Sequence, residues 1–236
     1  IKFYPVGNGD SILIKIASGR TIIVDCHFTN DNKFDVKEDW LTELSKDPDG
    51  HPYVDLFISS HPHEEHSAGF GDNFYHGNPK DYDDKRNQDE IIIGERWVTP
   101  RAIGNELADS AEDIRKEAKR RRMLYDNDKN FKGNYGNYLR IIGYDKDKEF
   151  DKRYGYVPGV DVTEINGYEL NYLDIFIHAP FKEDVEESKK NDDKNQTSIV
   201  IQYSFKVKDN DGNKIIKTKL LMGGDAEHDV WQHIIN

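Results

Sequence analysis

The stretch FISSHPHEEHSAGF, residues 57–70, holds His61, His63 and His66 with Glu64 and Glu65, three of the chain's nine histidines within six positions. Imidazoles and carboxylates are the donors that zinc and manganese take. His61 and His63 are two residues apart, so on an extended segment both side chains project to the same side. Glu65 and His66 add an oxygen and a nitrogen at the next turn, which makes a second ion conceivable a few ångström away. The competing reading of such a stretch is a solvated polar loop. A strand-like VDLFISS run before it and a Ser-Ala-Gly turn after it favour a metal site, because donors at a rigid strand end are held in place.

Those donors need a scaffold. DSILIKI and TIIVD read as two strands around the turn ASGR, and VDLFISS as a buried strand. Residues 34–46 predict a helix with Trp40, Leu41 and Leu44 on one face. Residues 71–90 read as an irregular polar loop, and EIIIGERWVTP as a strand that stops at Pro100. A helix is expected over residues 106–125, with Leu107, Ala111, Ile114, Ala118 and Tyr125 near one face. Its acidic start and basic end suit the helix dipole. Residues 126–160, rich in tyrosine, glycine and charge, give no clear element. YELNYLDIFIHAP, QTSIVIQYSF and NKIIKTKLLMGGD read as three more strands, with the polar loop FKEDVEESKKNDDKN between the first two. AEHDVWQHII reads as a closing amphipathic helix, with Val230, Trp231, Ile234 and Ile235 inward.

A chain of 236 residues holds one large domain or two small ones. One domain over residues 1–236, with residues 71–171 as an inserted lid or partner-protein surface, is the simplest account. The one cysteine, Cys26, permits no intrachain disulfide and suits a reducing, cytoplasmic setting. No window approaches the ~20 apolar residues of a membrane span. A net charge of −12 repels nucleic acid on average, since affinity comes from neutralised phosphates. A nucleic-acid or nucleotide substrate would need bound cations and a local basic patch. RKEAKRRR, residues 115–122, is that patch, with Arg120, Arg121 and Arg122 as candidate substrate contacts; a solvated helix end is the plainer alternative. Tyrosines in residues 125–156 could stack on bases or simply pack.

The stretch SSHPHEEHSAGF resembles the HxHxDH signature of the metallo-β-lactamase superfamily. VGNGDSILIKIASGRTIIVDC resembles the opening strands of the branch that includes the metallohydrolase domain of ComEC-type competence proteins. NQTSIVIQYSF and KLLMGGDAEHDVWQHII resemble later stretches of that branch. The likeness covers roughly residues 1–70 and 172–236. It implies an α/β fold, an αββα sandwich with a charged helical and loop insertion in its middle. It also implies two divalent ions, zinc or manganese: His61 and His63 on the first, Glu65 and His66 on the second, Asp225 bridging. Asp25 would support the site from outside the ligand set, or merely close its turn. His178 and Asn195 are candidates for a further ligand.

By that resemblance the chain is a metal-dependent hydrolase, with Glu65 and Asp225 fixing the ions around a water that loses its proton near neutral pH. The branch points to phosphodiesters, hence a nuclease or phosphodiesterase. Two alternatives stay open: a non-catalytic interaction or regulatory module, and a hydrolase of small esters or lactams. Glu65 stands where the superfamily has Asp, which moves the ligand oxygen by about one bond length against a tolerance of ~0.2 Å. The sequence starts without Met and stops one helix after Asp225. Only His228 and His233 follow that aspartate, about 140° apart on the expected helix. The second metal site is therefore expected to be short of a ligand within these residues.

Overall fold

Ile12, Ile14, Ile22 and Val24 alternate with Leu13 and Ile23, and both sets are buried, so the opening hairpin has core on each side. The computed structural model describes residues 1–28, 35–86, 89–104, 109–143 and 151–235. Strands β1 (Lys2–Phe3), β2 (Ile12–Lys15), β3 (Thr21–Val24), β4 (Ser45–Lys46), β5 (Pro52–Ile58), β6 (Ile92–Val98), β7 (Tyr138–Ile142) and β8 (Gly155–Tyr156) form the first sheet. Its order is β1-β2-β3-β5-β6-β7-β8, with β4 paired to β5 off that path. The strand β9 (Asp161–Val162) precedes a two-stranded ladder of β10 (Glu164–Ile165) and β11 (Tyr168–Glu169). In the second sheet β9 pairs with β12 (Leu173–Ala179), followed by β13 (Val200–Lys208) and β14 (Lys214–Met222).

The fold is mixed α/β. In the first sheet β3, β5, β6 and β7 run parallel, whereas β1, β2 and the whole second sheet pair antiparallel. Ile14, Ile22, Leu56, Ile58 and Trp97 share one core with Ile175, Ile177, Ile201 and Tyr203, so the two sheets pack face to face. Helices cover the first sheet's other side: α1 (Val36–Glu43), α2 (Phe70–Asn73), α3 (Tyr82–Lys85), α4 (Pro100–Ile103) and α5 (Asp109–Asn127) all lie before β7. Trp40, Phe70, Ala102, Ile114 and Tyr125 from four of them pack on Leu13, Ile23, Phe57 and Leu139. The last helices are α6 (Lys182–Asn191) and α7 (His228–Ile235); Val230 of α7 packs on Ala179 and Val200.

The segment 71–171 is not a lid outside the core. It supplies β6, buried along its whole length between β5 and β7, and two of the helices that cover the sheet, α4 and α5. Charge in this segment is compatible with burial because it is paired. Glu95 accepts from Trp97 Nε1 (2.6 Å), Arg140 Nε (2.7 Å) and the Asn166 amide (2.7 Å). The long helix runs Asp109–Asn127 and buries Ala111, Ile114, Ala118 and Tyr125; Leu107 lies outside the described residues. The first helix is shorter than residues 34–46, starting where Asp35 accepts from the Glu38 amide at 2.9 Å.

Candidate metal centre

Parallel strands deliver their carboxyl ends to one edge of a sheet, where ligands bind in open α/β sheets. Asp25 follows β3 and the 59–66 loop follows β5 at that edge. From the second sheet, the Ile199 amide donates to the Ser60 carbonyl at 3.0 Å, tying the start of β13 to the histidine loop. Gly224 sits against Ser60 and Ser198, where an added Cβ would lie 3.0 and 3.6 Å from their Cβ atoms. That close approach, with φ at 50°, brings Asp225 over the loop.

The result is a cluster built from both sheets. Asp225 Oδ2 lies 3.7 Å from His61 Nε2 and 3.4 Å from His66 Nε2. The rings of His61 and His66 are 4.2 Å apart, and those of His61 and His63 are 4.8 Å apart. His63 Nδ1 is 3.8 Å from Glu65 Oε1. Thus all five residues of the expected ligand set occupy one neighbourhood. His61, His66 and Asp225 in particular offer donor atoms within 4.8 Å of one another.

Hydrogen bonds fix which imidazole nitrogens are free. Asp25, fully buried, accepts from the Ser60 amide (2.7 Å), from Ser60 Oγ, and from His66 Nδ1 (3.0 Å). A carboxylate only accepts, so His66 carries a proton on Nδ1, and its Nε2 is the nitrogen turned towards Asp225. Ser60 Oγ spends its one hydrogen donating to Asp25, so towards His61 Nδ1, 3.0 Å away, it can only accept. His61 Nε2 is left with a lone pair. Both Nε2 atoms are buried without a hydrogen-bond partner. Buried polar atoms are normally satisfied, and metal-ligating histidines normally donate their other nitrogen to such a partner.

The electrostatics follow from this cage. Burial and the charges of His66, His63 and Lys194 hold the His61 imidazole neutral, its pKa down at about 2. Burial lowers His63 as well. For His66 burial acts downward, but the Asp25 hydrogen bond and the charges of Asp25, Asp225 and Asp10 prevail and push it up to about 9. Without a cation its Nε2 therefore also carries a proton, turned towards Asp225, which a bound metal would displace.

The sequence pattern missed Asp10. Its Oδ2 lies 3.9 Å from His66 Nδ1, and burial and the Asp25 charge push its carboxyl above the usual range. A lone aspartate in GNGD reads as a turn. The signal is Gly9, where a Cβ would stand 2.0 Å from the Glu65 carbonyl, so only glycine lets this turn reach the loop. His27 was missed too: its Nδ1 meets the Glu65 carbonyl at 2.8 Å and braces the loop from below.

Other candidates sit elsewhere. His178 is on the opposite face of β12 from Ile177, its ring 4.7 Å from Phe176, and none of its described contacts reaches the loop. Asn195 lies in the turn before β13 and donates to Glu227 at 3.3 Å, with its Oδ1 buried and unpartnered. His233 pairs with Asp184 of α6, away from the centre. The arginine run is a brace rather than a substrate surface. Arg121 is buried and donates to Glu117 and to the carbonyls of Ile93, Gly94 and Tyr138. Arg120 donates to Glu117, Asn137 and Gly136, and Arg122 pairs with Asp126 at 3.5 Å.

No helix among the described residues is long and apolar enough to cross a membrane. No family model matches the chain, and no curated protein and no solved structure matches it significantly.

Proposed function

We propose that the chain is a metal-dependent hydrolase of the metallo-β-lactamase type, acting on phosphodiester bonds. The observation that carries this reading is the pair of buried nitrogens His61 Nε2 and His66 Nε2, which have no hydrogen-bond partner and both face Asp225. The donor set of imidazoles and carboxylates fits zinc or manganese. The layering of helices, two face-packed sheets and helix supports the sandwich that the sequence resemblance implies.

His61, His63 and Asp225 would hold one ion, and Glu65, His66 and Asp225 a second. Divalent ions held there would lower the pKa of a water and neutralise charge developing on a phosphoryl oxygen. Asp25 keeps the His66 tautomer, and through Ser60 that of His61, so both present the correct nitrogen. Asp225 and Glu65 are the carboxylates placed to accept a proton or orient a water at the mouth, each with a 41% exposed side chain. The phosphodiester preference rests on the resemblance and on Lys194, whose charge reaches His61 and His63 in an otherwise acidic surround.

The test is metal-dependent cleavage of single- and double-stranded DNA, RNA and cyclic nucleotides, with elemental analysis of the protein, wild type against His61→Ala. Bound metal with cleavage lost in the variant supports the reading. A protein that retains no divalent ion refutes it. Bound metal without cleavage of any phosphodiester favours the interaction-module alternative, which Glu65 in place of the superfamily's Asp also favours.

A further inference from the structure

The amino ends of the parallel strands form a second concave region, at the far edge of the first sheet. The seven residues of β5 separate the two edges by about 20 Å at ~3.3 Å per residue. There a cavity of about 430 Å³ is lined by Tyr53, Tyr135, Tyr138, Tyr168, Asn166 and Gly167, among others. That volume suits a small organic molecule. Tyr53 and Tyr135 meet edge to face at 5.6 Å, and the outer Tyr168 ring is held by the Arg20 guanidinium, 3.4 Å from its centroid. Two polar atoms of this lining are orphaned. Tyr135 Oη and Asn166 Oδ1 are both buried with no hydrogen-bond partner. Asn166 is 4% exposed and adopts φ of 50°, held by its amide bond to Glu95 at 2.7 Å.

A second, polar cavity of about 210 Å³ adjoins it, since Tyr138 and Gly167 line both. Gly167 keeps the passage open at this point: a Cβ would lie 2.7 Å from Tyr138 Oη. Four cationic side chains line the second cavity. Arg140 is engaged by Glu95, and Arg153 by Asp151 and backbone carbonyls. Lys132 and Lys152 make no ion pair among the described residues. Glu95 and Glu164 are the two carboxylates of the lining, so four cations outnumber them, and in a chain of net charge −12 this excess with two unpaired lysines makes a local anion site.

Aromatic faces on which a base can stack, with an amide and a hydroxyl to read its edge, are how proteins hold unstacked bases. An adjoining cationic pocket adds a phosphate site. We propose that the two cavities together bind a mononucleotide, the base among the tyrosines and the phosphate against Lys132 and Lys152. This site is separate from the metal centre and does not depend on the reading given for it.

The experiment titrates AMP, GMP, CMP and UMP, their nucleosides and inorganic phosphate into the full chain, following heat or tyrosine fluorescence. Wild type is compared with Tyr135→Phe, with Lys132→Ala/Lys152→Ala, and with His61→Ala. At least one nucleotide is expected to bind with one-to-one stoichiometry, its nucleoside about ten-fold more weakly. Tyr135→Phe weakens the nucleotide about ten-fold without lowering the melting temperature, because the lost hydroxyl had no protein partner. The double lysine variant binds nucleotide no better than nucleoside, and His61→Ala binds as wild type does. The proposal is overturned if none of the four nucleotides binds saturably. It is also overturned if the tyrosine and lysine variants both match wild type, or if His61→Ala abolishes binding, which would put the nucleotide in the metal centre.

Discussion

Two buried polar clusters flank the first sheet, and they are finished differently. Around His61 and His66, two imidazole nitrogens are left with no partner and a half-exposed aspartate stands over them. Around Arg121 and Glu117, the buried guanidinium donates from all three of its nitrogens and the carboxylate accepts on both oxygens. A satisfied network of this kind rigidifies a core. Buried nitrogens left without a hydrogen bond add nothing to stability and are what a bound cation would satisfy. The contrast separates a site from a brace more sharply than residue type does, since both clusters are dense in chemically able side chains.

The largest expected effect tests the first half of that contrast. His66→Ala removes one orphaned donor and the partner of Asp25, so metal retained after dialysis should fall to background. Elemental analysis measures it, and a variant that keeps a full complement of metal would show that His66 is not a ligand. Second in size is Arg121→Met, which leaves Glu117 buried with a weakened counter-charge. It should cost about 3–5 kcal/mol in urea unfolding, with metal content unchanged, and far more stability than His61→Ala costs in metal-free protein. Equal losses in the two variants would erase the distinction between brace and site.

A smaller effect sharpens the comparison within the site. Asp25→Asn keeps the shape but can present an amide N–H to His66 Nδ1 and Ser60, disturbing the tautomers that free both Nε2 atoms. Metal affinity should fall about 10–100-fold, the range for loss of a partner that orients a ligand. Titration with a competing chelator measures this. An unchanged affinity would mean that the nitrogens are aimed by packing alone.

Much of this was legible from local pattern. The β-branched alternation of residues 12–24 and the apolar run before His61 mark buried strands, and the histidine spacing marks a donor cluster. What was hidden depended on partners distant in the chain. NYLRII carries arginine and asparagine and gives no strand signal alone; it becomes β7 because Glu95 accepts from Arg140 and Arg121 holds the Tyr138 carbonyl. The same pairing takes charged residues 92–98 into the sheet, where composition argued for an outer insertion. Asp10 was hidden for a similar reason, since only the approach of the Gly9 turn to Glu65 reveals it. RKEAKRRR reads as a phosphate rest because a sequence does not show that Arg121 turns inward to the carbonyls of Ile93, Gly94 and Tyr138, with Glu117 buried beside it.

The smallest effect concerns the pH behaviour of the brace. Burial alone would raise the Glu117 carboxyl, but the charges and hydrogen bonds of Arg121 and Arg120 hold it below the ordinary carboxylate range. A carboxyl depressed in the folded state stabilises fully above its unfolded pKa, about 4.3, and that stabilisation is lost as pH falls through the folded value. Glu117→Gln cannot titrate, so its deficit against wild type should be largest at neutral pH and narrow as the pH is lowered from about 7 towards 3. Urea midpoints of the two proteins across that range measure it. A deficit that stays constant or widens in acid would mean that the Glu117–Arg121 pair contributes geometry but no charge-dependent stability, and the brace would then differ from the candidate metal centre only in having its hydrogen bonds complete.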